Sequence, residues 1–408
     1  MNALPIDSMT ITCLRARSFQ NVCSRETSNR REAPMSAGKK FIGLDVHQDT
    51  IAIAVADDGE DREVRYFGTI ANKAEALHAA LKKIGQDGSE LCVCYESGPC
   101  GLVIYRYLAR IGVDCMVISP SSMPRRPNDR VKTDRRDAQT LARLLRAGEL
   151  VAVWVPDGAH EAIRDVVRAR RQAKEDLGSA KSALKSFLLR HGRRFGGKAI
   201  WSKAHWRWLS EQSFDFPHQQ FVYEEYKRRI HELVDRCNRL DDVLKEAVPG
   251  WVLGPLVHAL QALRGVKLTA AVTLVAEIGD LHRFDSPKQL MAWLGLVPAE
   301  HSSGKSIKRG EITRAGNAAA RTMLIKSAWQ YHYPAREGRT LRDRNADIPD
   351  HIKAIAWKAQ VRLCAKFRRL AASGKKTVKV VVAVARELAG FIWDIARHTP
   401  IVAVEMRR

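Results

Sequence analysis

The sequence lacks any apolar run approaching the roughly 18–20 residues that a membrane span needs, which excludes a polytopic membrane protein. It also lacks a secretory apolar region near its start, so no signal peptide is expected. No two of its eight cysteines form a Cys-x-x-Cys pair. Cys92, Cys94 and Cys100 lie close together in sequence, but their spacing does not suit a zinc knuckle, and the cysteines read as small apolar core residues of a reducing compartment. Acidic residues are under-represented. Asp and Glu number 45 against 68 Lys and Arg, which leaves a formal charge of +23 and points to a polyanionic partner, nucleic acid being the commonest. With 45% apolar and 28% charged residues the chain has ample core-forming material and is not disordered throughout. Its 408 residues allow two or three domains of about 100–200 residues each.

Residues 1–34 show no sustained periodicity and precede a second methionine, Met35. They read as a disordered N-terminal arm, drawn at 1–38. From Lys40 the pattern becomes that of strands, with β-rich runs at 41–46, 50–56 and 63–70 forming a three-stranded meander. Helical spacing follows at 72–84, a strand at 90–95, a helix at 99–111, a strand at 114–119 and a helix at 134–147. The order βββαβαβα is that of the RNase H-like fold and defines an α/β domain over 39–155. Residues 156–250 are helical and charged. A long helix at 163–189 and a seam of Val222, Tyr226, Ile230, Leu233, Cys237, Leu240 and Leu244 read as two arms of a helical coiled-coil region, joined by a disordered-looking elbow that holds Gly196, Gly197, Trp201, Trp206 and Trp208. A plain helical linker fits the same pattern. Residues 251–400 form a mostly helical, basic C-terminal domain. In it, 263–267 resembles half of a helix-hairpin-helix but fits an ordinary packing corner equally well.

Four carboxylates fall at the ends of expected elements. Asp45 lies near the end of the first strand, Glu96 directly follows the fourth, and Asp134 and Asp137 share one face of a helix start in Lys132-Thr133-Asp134-Arg135-Arg136-Asp137-Ala138. In an RNase H-like sheet strands one and four are neighbours and the last helix packs across them, so all four can converge. Such a cluster repels itself unless cations neutralise it. Two Mg²⁺ ions about 4 Å apart would do so, and would clamp the attacking and leaving oxygens of a phosphodiester. Each Asp taken alone is an ordinary turn or helix-dipole residue.

A second constellation runs from Gly295 through Glu300-His301-Ser302-Ser303-Gly304-Lys305 to Gly316-Asn317, with Lys308, Arg309 and Arg314 close by. Serines beside a glycine and several cations suit a loop that approaches a phosphate, and a serine there could act as a nucleophile. From residue types alone, a Ser/Gly loop that only holds backbone phosphates is the simpler reading. Arg125, Arg126, Arg130 and Lys132, together with Lys305, Lys308, Arg309 and Arg314, are the candidate nucleic-acid-binding residues. Any single basic patch of this kind also reads as a solvated face.

Taken in order, the Gly-Leu-Asp-Val-His strand, the Tyr-Glu-Ser-Gly segment, the Lys-Thr-Asp-Arg-Arg-Asp-Ala helix start and the Gly-Leu-Val-Pro…Ser-Ser-Gly…Gly-Glu-Ile-Thr-Arg-Ala-Gly-Asn stretch resemble the DEDD transposases of bacterial insertion sequences, the insertion sequence 110 family with its Piv-type invertases. The resemblance covers about 39–395. It implies a RuvC-like N-terminal domain whose four carboxylates are Asp45, Glu96, Asp134 and Asp137, and a C-terminal serine transposase domain whose nucleophile is Ser303. It further implies a bacterial cytoplasmic DNA recombinase that uses Mg²⁺, acts on donor and target DNA, pairs with a structured non-coding guide RNA, and works as a dimer or tetramer. Two departures stand out: Ser302 adjoins Ser303, and the glycine turn at Gly265 is incomplete. A RuvC-like Holliday-junction endonuclease needs the carboxylates without the serine loop. A non-catalytic nucleic-acid-binding relative needs neither.

Overall fold

A computed structural model describes residues 38–400, apart from 60–62, 121–122, 124–132, 301–302, 304–305, 307 and the side chain of Arg309. The expected N-terminal arm lies outside the described residues. The chain divides into two compact units that part between Val151 and Ala152.

In the first unit the strands are β1 (Lys39–Val46), β2 (Thr50–Asp57), β3 (Arg65–Ala71), β4 (Glu90–Glu96) and β5 (Asp114–Ile118), interleaved with α1 (Ala74–Ile84), α2 (Val103–Arg110) and α3 (Asp134–Arg146). The sheet order is β3-β2-β1-β4-β5. The meander pairs antiparallel, whereas β4 runs parallel to both β1 and β5. This is the expected mixed α/β arrangement, with β1 and β4 adjacent at its centre.

Residue size decides how α3 sits. It lays Ala138 and Ala142 on a row of small residues from β2, namely Ala52, Ala54 and Ala56. On β1 the facing residue is Gly43. A Cβ there would run into the Ala138 carbonyl and come within 2.5 Å of the Ala142 nitrogen and 2.8 Å of Leu141 Cβ. The helix backbone therefore rests almost directly on the strand. Thr133 caps α3 by accepting from the Arg136 amide at 3.3 Å, which fixes where the first turn begins.

The second unit is dominated by helices. α4 (Gly158–Arg190) and α6 (Pro217–Ala247) pack antiparallel: Arg170 in the first half of α4 meets Asp241 late in α6 at 2.9 Å, while Phe187 near the end of α4 lies against Tyr223 and Tyr226 early in α6. The elbow between them is not the disordered segment that its composition implied. It holds α5 (Lys203–Ser210), and His205 Nδ1 accepts from the Trp201 amide while Phe195 and Trp208 pack on the same imidazole. Trp201, Trp206 and Trp208 pack on the core of the helical hairpin, and this aromatic burial orders the turn.

The rest of the unit comprises α7 (Gly254–Leu260), α8 (Leu268–Ile278), α9 (Pro287–Trp293), the hairpin β6 (Pro298–Glu300) and β7 (Arg309–Ile312), α10 (Ala318–Ala328), α11 (Arg339–Arg344), α12 (Asp350–Ala372) and α13 (Thr377–Arg397). α8 is buried all round from Ala270 to Ile278 and apolar there except at Thr273 and Glu277, as suits a central core helix. The Leu263–Val266 corner that leads into it turns Gly265 against the Ser327 carbonyl, a close-packed junction.

Glu277 is the single charged residue of α8 and its side chain is 2% exposed. Arg168 of α4 grips it with two bonds of 3.2 and 3.1 Å, and Asn317 adds a third at 2.8 Å. Burial alone would raise the Glu277 pKa, but these donors outweigh it and hold the carboxyl below its usual range. The stabilisation is therefore present at neutral pH and lost as pH falls through the depressed value.

Two outcomes follow. Gly43→Ala should lower the unfolding free energy by about 1–3 kcal/mol through overpacking beneath α3, read from the urea midpoint. Arg168→Ala should cost about 1–3 kcal/mol at pH 7 by stripping a buried carboxylate of donors. Its deficit in melting temperature should shrink as the pH is lowered below the ordinary carboxylate range.

Candidate active site

The first unit gathers its carboxylates through strand parity and the seating of α3. Gly43 and Cys94 are partners across the β1–β4 ladder, and both face α3: Gly43 lies under Ala138, and the Cys94 thiol reaches the Leu141 carbonyl at 3.6 Å. Two residues further along each strand, on the same face, come Asp45 and Glu96. The first turn of α3 contributes Asp134 and Asp137.

The closest group is Asp45, His47 and Asp134, whose ligand atoms all lie within 4.8 Å of one another. His47 Nε2 stands 3.3 Å from Asp45 Oδ2 and 3.5 Å from Asp134 Oδ1. His47 has no role in the sequence reading beyond its place in the first-strand motif. The signal for it was parity, since it follows Asp45 by two and so returns to the same face. Its backbone is pinned in the β1–β2 turn by the Thr50 carbonyl, which accepts from its amide at 2.9 Å, and by Asn72, which donates to its carbonyl at 2.8 Å.

Asp45 is the buried member, its side chain 19% exposed against 61% for Asp134. Burial pushes its pKa up. His47 opposes that rise, while the charges of Asp137 and Asp134 add to it. Asp137 thus lies near enough to act on Asp45 electrostatically. Glu96, half-buried, occupies the adjoining strand end outside the closest group. Clustered carboxylate oxygens with one imidazole fit a hard divalent cation, and a cation would offset both the burial that raises the Asp45 pKa and the carboxylate repulsion that adds to it.

The second unit presents Ser303 at the far end of the β6–β7 hairpin. Ser303 is exposed and bridges Ser306, each amide donating to the other's carbonyl at 3.1 Å. The base of the hairpin is held far more tightly. Gly295 and Gly316 both have positive φ, at 62° and 65°, and a Cβ on either would strike backbone, Ala315 in one case and the Trp293 carbonyl in the other. Arg321 spans this base, donating to the Leu294 and Ala315 carbonyls at 3.0 and 2.7 Å. Asn317 caps α10 by accepting from the Ala320 amide while donating to Glu277, so the hairpin is anchored into the core.

Of the cationic candidates, Lys308 is exposed beside β7, and Arg309 opens that strand in register with Glu300. Arg314 has φ of 56° and pairs with Glu311 at 2.6 Å in full solvent, a contact worth little in stability. Arg125, Arg126, Arg130, Lys132 and Lys305 lie outside the described residues, as does Ser302.

A central parallel strand pair whose ends collect carboxylates beneath a final helix is the architecture of a DEDD-type transposase. Comparison with known proteins agrees. Residues 42–192 match the DEDD transposase family model of insertion sequence IS110, and residues 257–339 match the transposase family IS116/IS110/IS902. The chain is 48% identical over 358 residues to the putative transposase y4qE of Sinorhizobium fredii, covering 88% of each. It is 28% identical over 349 residues to the transposase for insertion sequence element IS1533 of Leptospira borgpetersenii, covering 84% of this chain and 99% of that one. The chain belongs to the IS110 family of transposases, enzymes that act on DNA. Among the described residues no helix is long and apolar enough to cross a membrane.

In chelator-treated protein, Asp45→Asn should melt at or above the wild-type temperature, because it removes a half-buried charge from a repelling group. Since the folded-state pKa is raised, the penalty is present above the ordinary carboxylate range and fades as pH falls through it. The gain in melting temperature should therefore be larger at pH 7 than at pH 4.

Proposed function

We propose that this transposase is an insertion-sequence recombinase that cuts and rejoins DNA strands with two kinds of catalytic group: the carboxylates Asp45, Glu96, Asp134 and Asp137, and the hydroxyl of Ser303. The observation that carries the reading is the convergence of Asp45 and Asp134, with Asp137 within electrostatic reach and Glu96 on the adjoining strand end of the same face. Divalent cations, most simply two Mg²⁺, would supply charge neutralisation and polarisation of the scissile phosphate when bound.

The residues of the chain divide the remaining work. Asp45, buried deepest, fixes the position of the group, and Asp134 with Asp137 completes it from a helix whose start is set by the Thr133 cap. His47 holds Asp45 and Asp134 in place through its Nε2 and is a positioning residue with the chemistry to become a ligand. Ser303 stands exposed on an anchored hairpin, as a nucleophile that must reach a phosphodiester should. Its attack forms a serine–phosphate ester and breaks the bond to one sugar oxygen, which departs as a hydroxyl and leaves DNA covalently held. Lys305, Lys308, Arg309 and Arg314, with Arg125, Arg126, Arg130 and Lys132, would neutralise phosphates.

The family resemblance and the charge of +23 support a structured guide RNA as a second polyanionic partner, and the resemblance supports a dimer or tetramer working in the bacterial cytoplasm. The antiparallel pair of α4 and α6 would serve as a coiled-coil arm between protomers. The domain limits follow the same reading: RuvC-like to 155, arm to 250 and serine domain to 400.

Reactions quenched in denaturant test the assignment. Asp45→Asn should lose Mg²⁺-dependent strand cleavage by several orders of magnitude while keeping its fold. Ser303→Ala should retain DNA binding and form no protein–DNA adduct, whereas Ser302→Ala should still form one. An adduct that survives Ser303→Ala removes serine from the mechanism.

A further inference from the structure

His47 stands inside the carboxylate group without belonging to the four residues that define it. It follows Asp45 by two residues, just past the end of β1. Its Nε2 lies 3.3 Å from Asp45 Oδ2 and 3.5 Å from Asp134 Oδ1, so one nitrogen stands between an oxygen from β1 and an oxygen from α3. The three ligand atoms all lie within 4.8 Å of one another. Adjacent ligands of an octahedral cation with bonds of about 2.1 Å sit about 3 Å apart. The imidazole nitrogen is already close to that spacing from both oxygens.

The position is both reachable and held. The His47 side chain is 51% exposed and that of Asp134 61%, so an ion can approach the group from solvent past these two residues. Asn72 fastens the turn that carries the histidine. Its side chain donates to the His47 and Gln48 carbonyls at 2.8 and 3.3 Å, and its amide donates to the Asp49 carbonyl at 2.9 Å. The His47 amide closes the same turn on the Thr50 carbonyl at 2.9 Å. A side chain whose backbone is fixed in this way presents its nitrogen in a set place, as a ligand must.

We propose that His47 Nε2 is a ligand of the divalent cation that Asp45 and Asp134 share, and that this nitrogen tilts the position toward Mn²⁺ over Mg²⁺. Carboxylates and water suit both ions, whereas imidazole suits transition-metal ions. Mg²⁺ also gives up its waters reluctantly. Glu96 and Asp137 offer oxygen only, so a second cation on their side carries no such preference. The inference rests on the carboxylate reading and goes beyond it, since that reading needs no histidine.

The test uses the full chain, metal-free, at mildly alkaline pH and without nucleic acid, so it reads binding and not cleavage. Mn²⁺ affinity comes from the electron paramagnetic resonance of free Mn²⁺, and Mg²⁺ affinity from its competition with Mn²⁺. Electron spin echo envelope modulation reports whether a nitrogen is bonded to the captured Mn²⁺. Wild-type protein should bind Mn²⁺ more tightly than Mg²⁺ and show a bonded nitrogen. His47→Ala and His47→Gln should both lose that signal and weaken Mn²⁺ binding about tenfold or more, since even an outer partner of a ligand is worth that much. Mg²⁺ affinity should fall by a clearly smaller factor. The glutamine variant discriminates, because its amide can still donate to both carboxylates and would replace a histidine that only braces them. A wild-type complex without a bonded nitrogen overturns the proposal. So do a nitrogen signal that survives both substitutions, Mn²⁺ affinity unchanged in His47→Gln, or equal losses for the two ions. Asp45→Asn separates these results from a failure of the carboxylate reading. Mn²⁺ binding indifferent to Asp45 removes that reading and this proposal with it, whereas binding that needs Asp45 but shows no nitrogen strikes His47 alone. Should His47→Ala fail to fold, His47→Gln, at the same half-exposed position, decides the question.

Discussion

The first unit depends on a steric constraint: one helix lies so close to one strand that only hydrogen fits between them. Gly43 meets the α3 backbone at Ala138 and Ala142, and the alanines of β2 extend the same low surface beneath it. Close seating sets the height of the helix above the sheet, and therefore where its first turn lies relative to the ends of the central strands. Asp134 can approach His47 and Asp45 because no larger residue lifts α3 away. Burial at this strand end raises the pKa of Asp45, and the charges of Asp137 and Asp134 that α3 brings down add to the rise while His47 opposes it.

The second unit solves a different problem, that of holding a charge inside an apolar helix. Glu277 is acceptable there because Arg168 comes from α4 and Asn317 from the start of α10. One carboxylate thereby ties the long helical hairpin to the segment that follows β7. A residue whose burial would ordinarily destabilise the core becomes a joint between three chain segments distant in sequence. Arg164 and His160 continue the joint by meeting the Ala276 carbonyl at 2.9 and 2.8 Å.

Much of the fold and part of the site were legible in the sequence, for identifiable reasons. Period-two runs gave the five strands of the sheet, and acidic residues at the ends of elements stood out because Asp45 and Glu96 follow buried apolar stretches directly. Asp134 and Asp137 were readable from their spacing and from Thr133 before them. His47 was missed because a histidine after a strand has many ordinary explanations, and its proximity to Asp134 arises only when α3 packs down. The elbow was misread because its glycines were given more weight than its tryptophans, whereas its order comes from contacts among Phe195, His205 and those same three tryptophans.

The anchoring of the β6–β7 hairpin sets how a serine at its far end can be aimed. A beam clamped at one end points where its clamp points, and any rotation at the root grows in proportion to distance along it. Here the root is fixed by two glycines pressed on backbone, by Arg321 bridging both sides and by Asn317 fastened to a core carboxylate. Direction is consequently encoded at the core-bound root and not beside the hydroxyl it serves. Lengthening or shortening the outer end would change reach without changing bearing, whereas a methyl group added at either glycine would swing the whole lever.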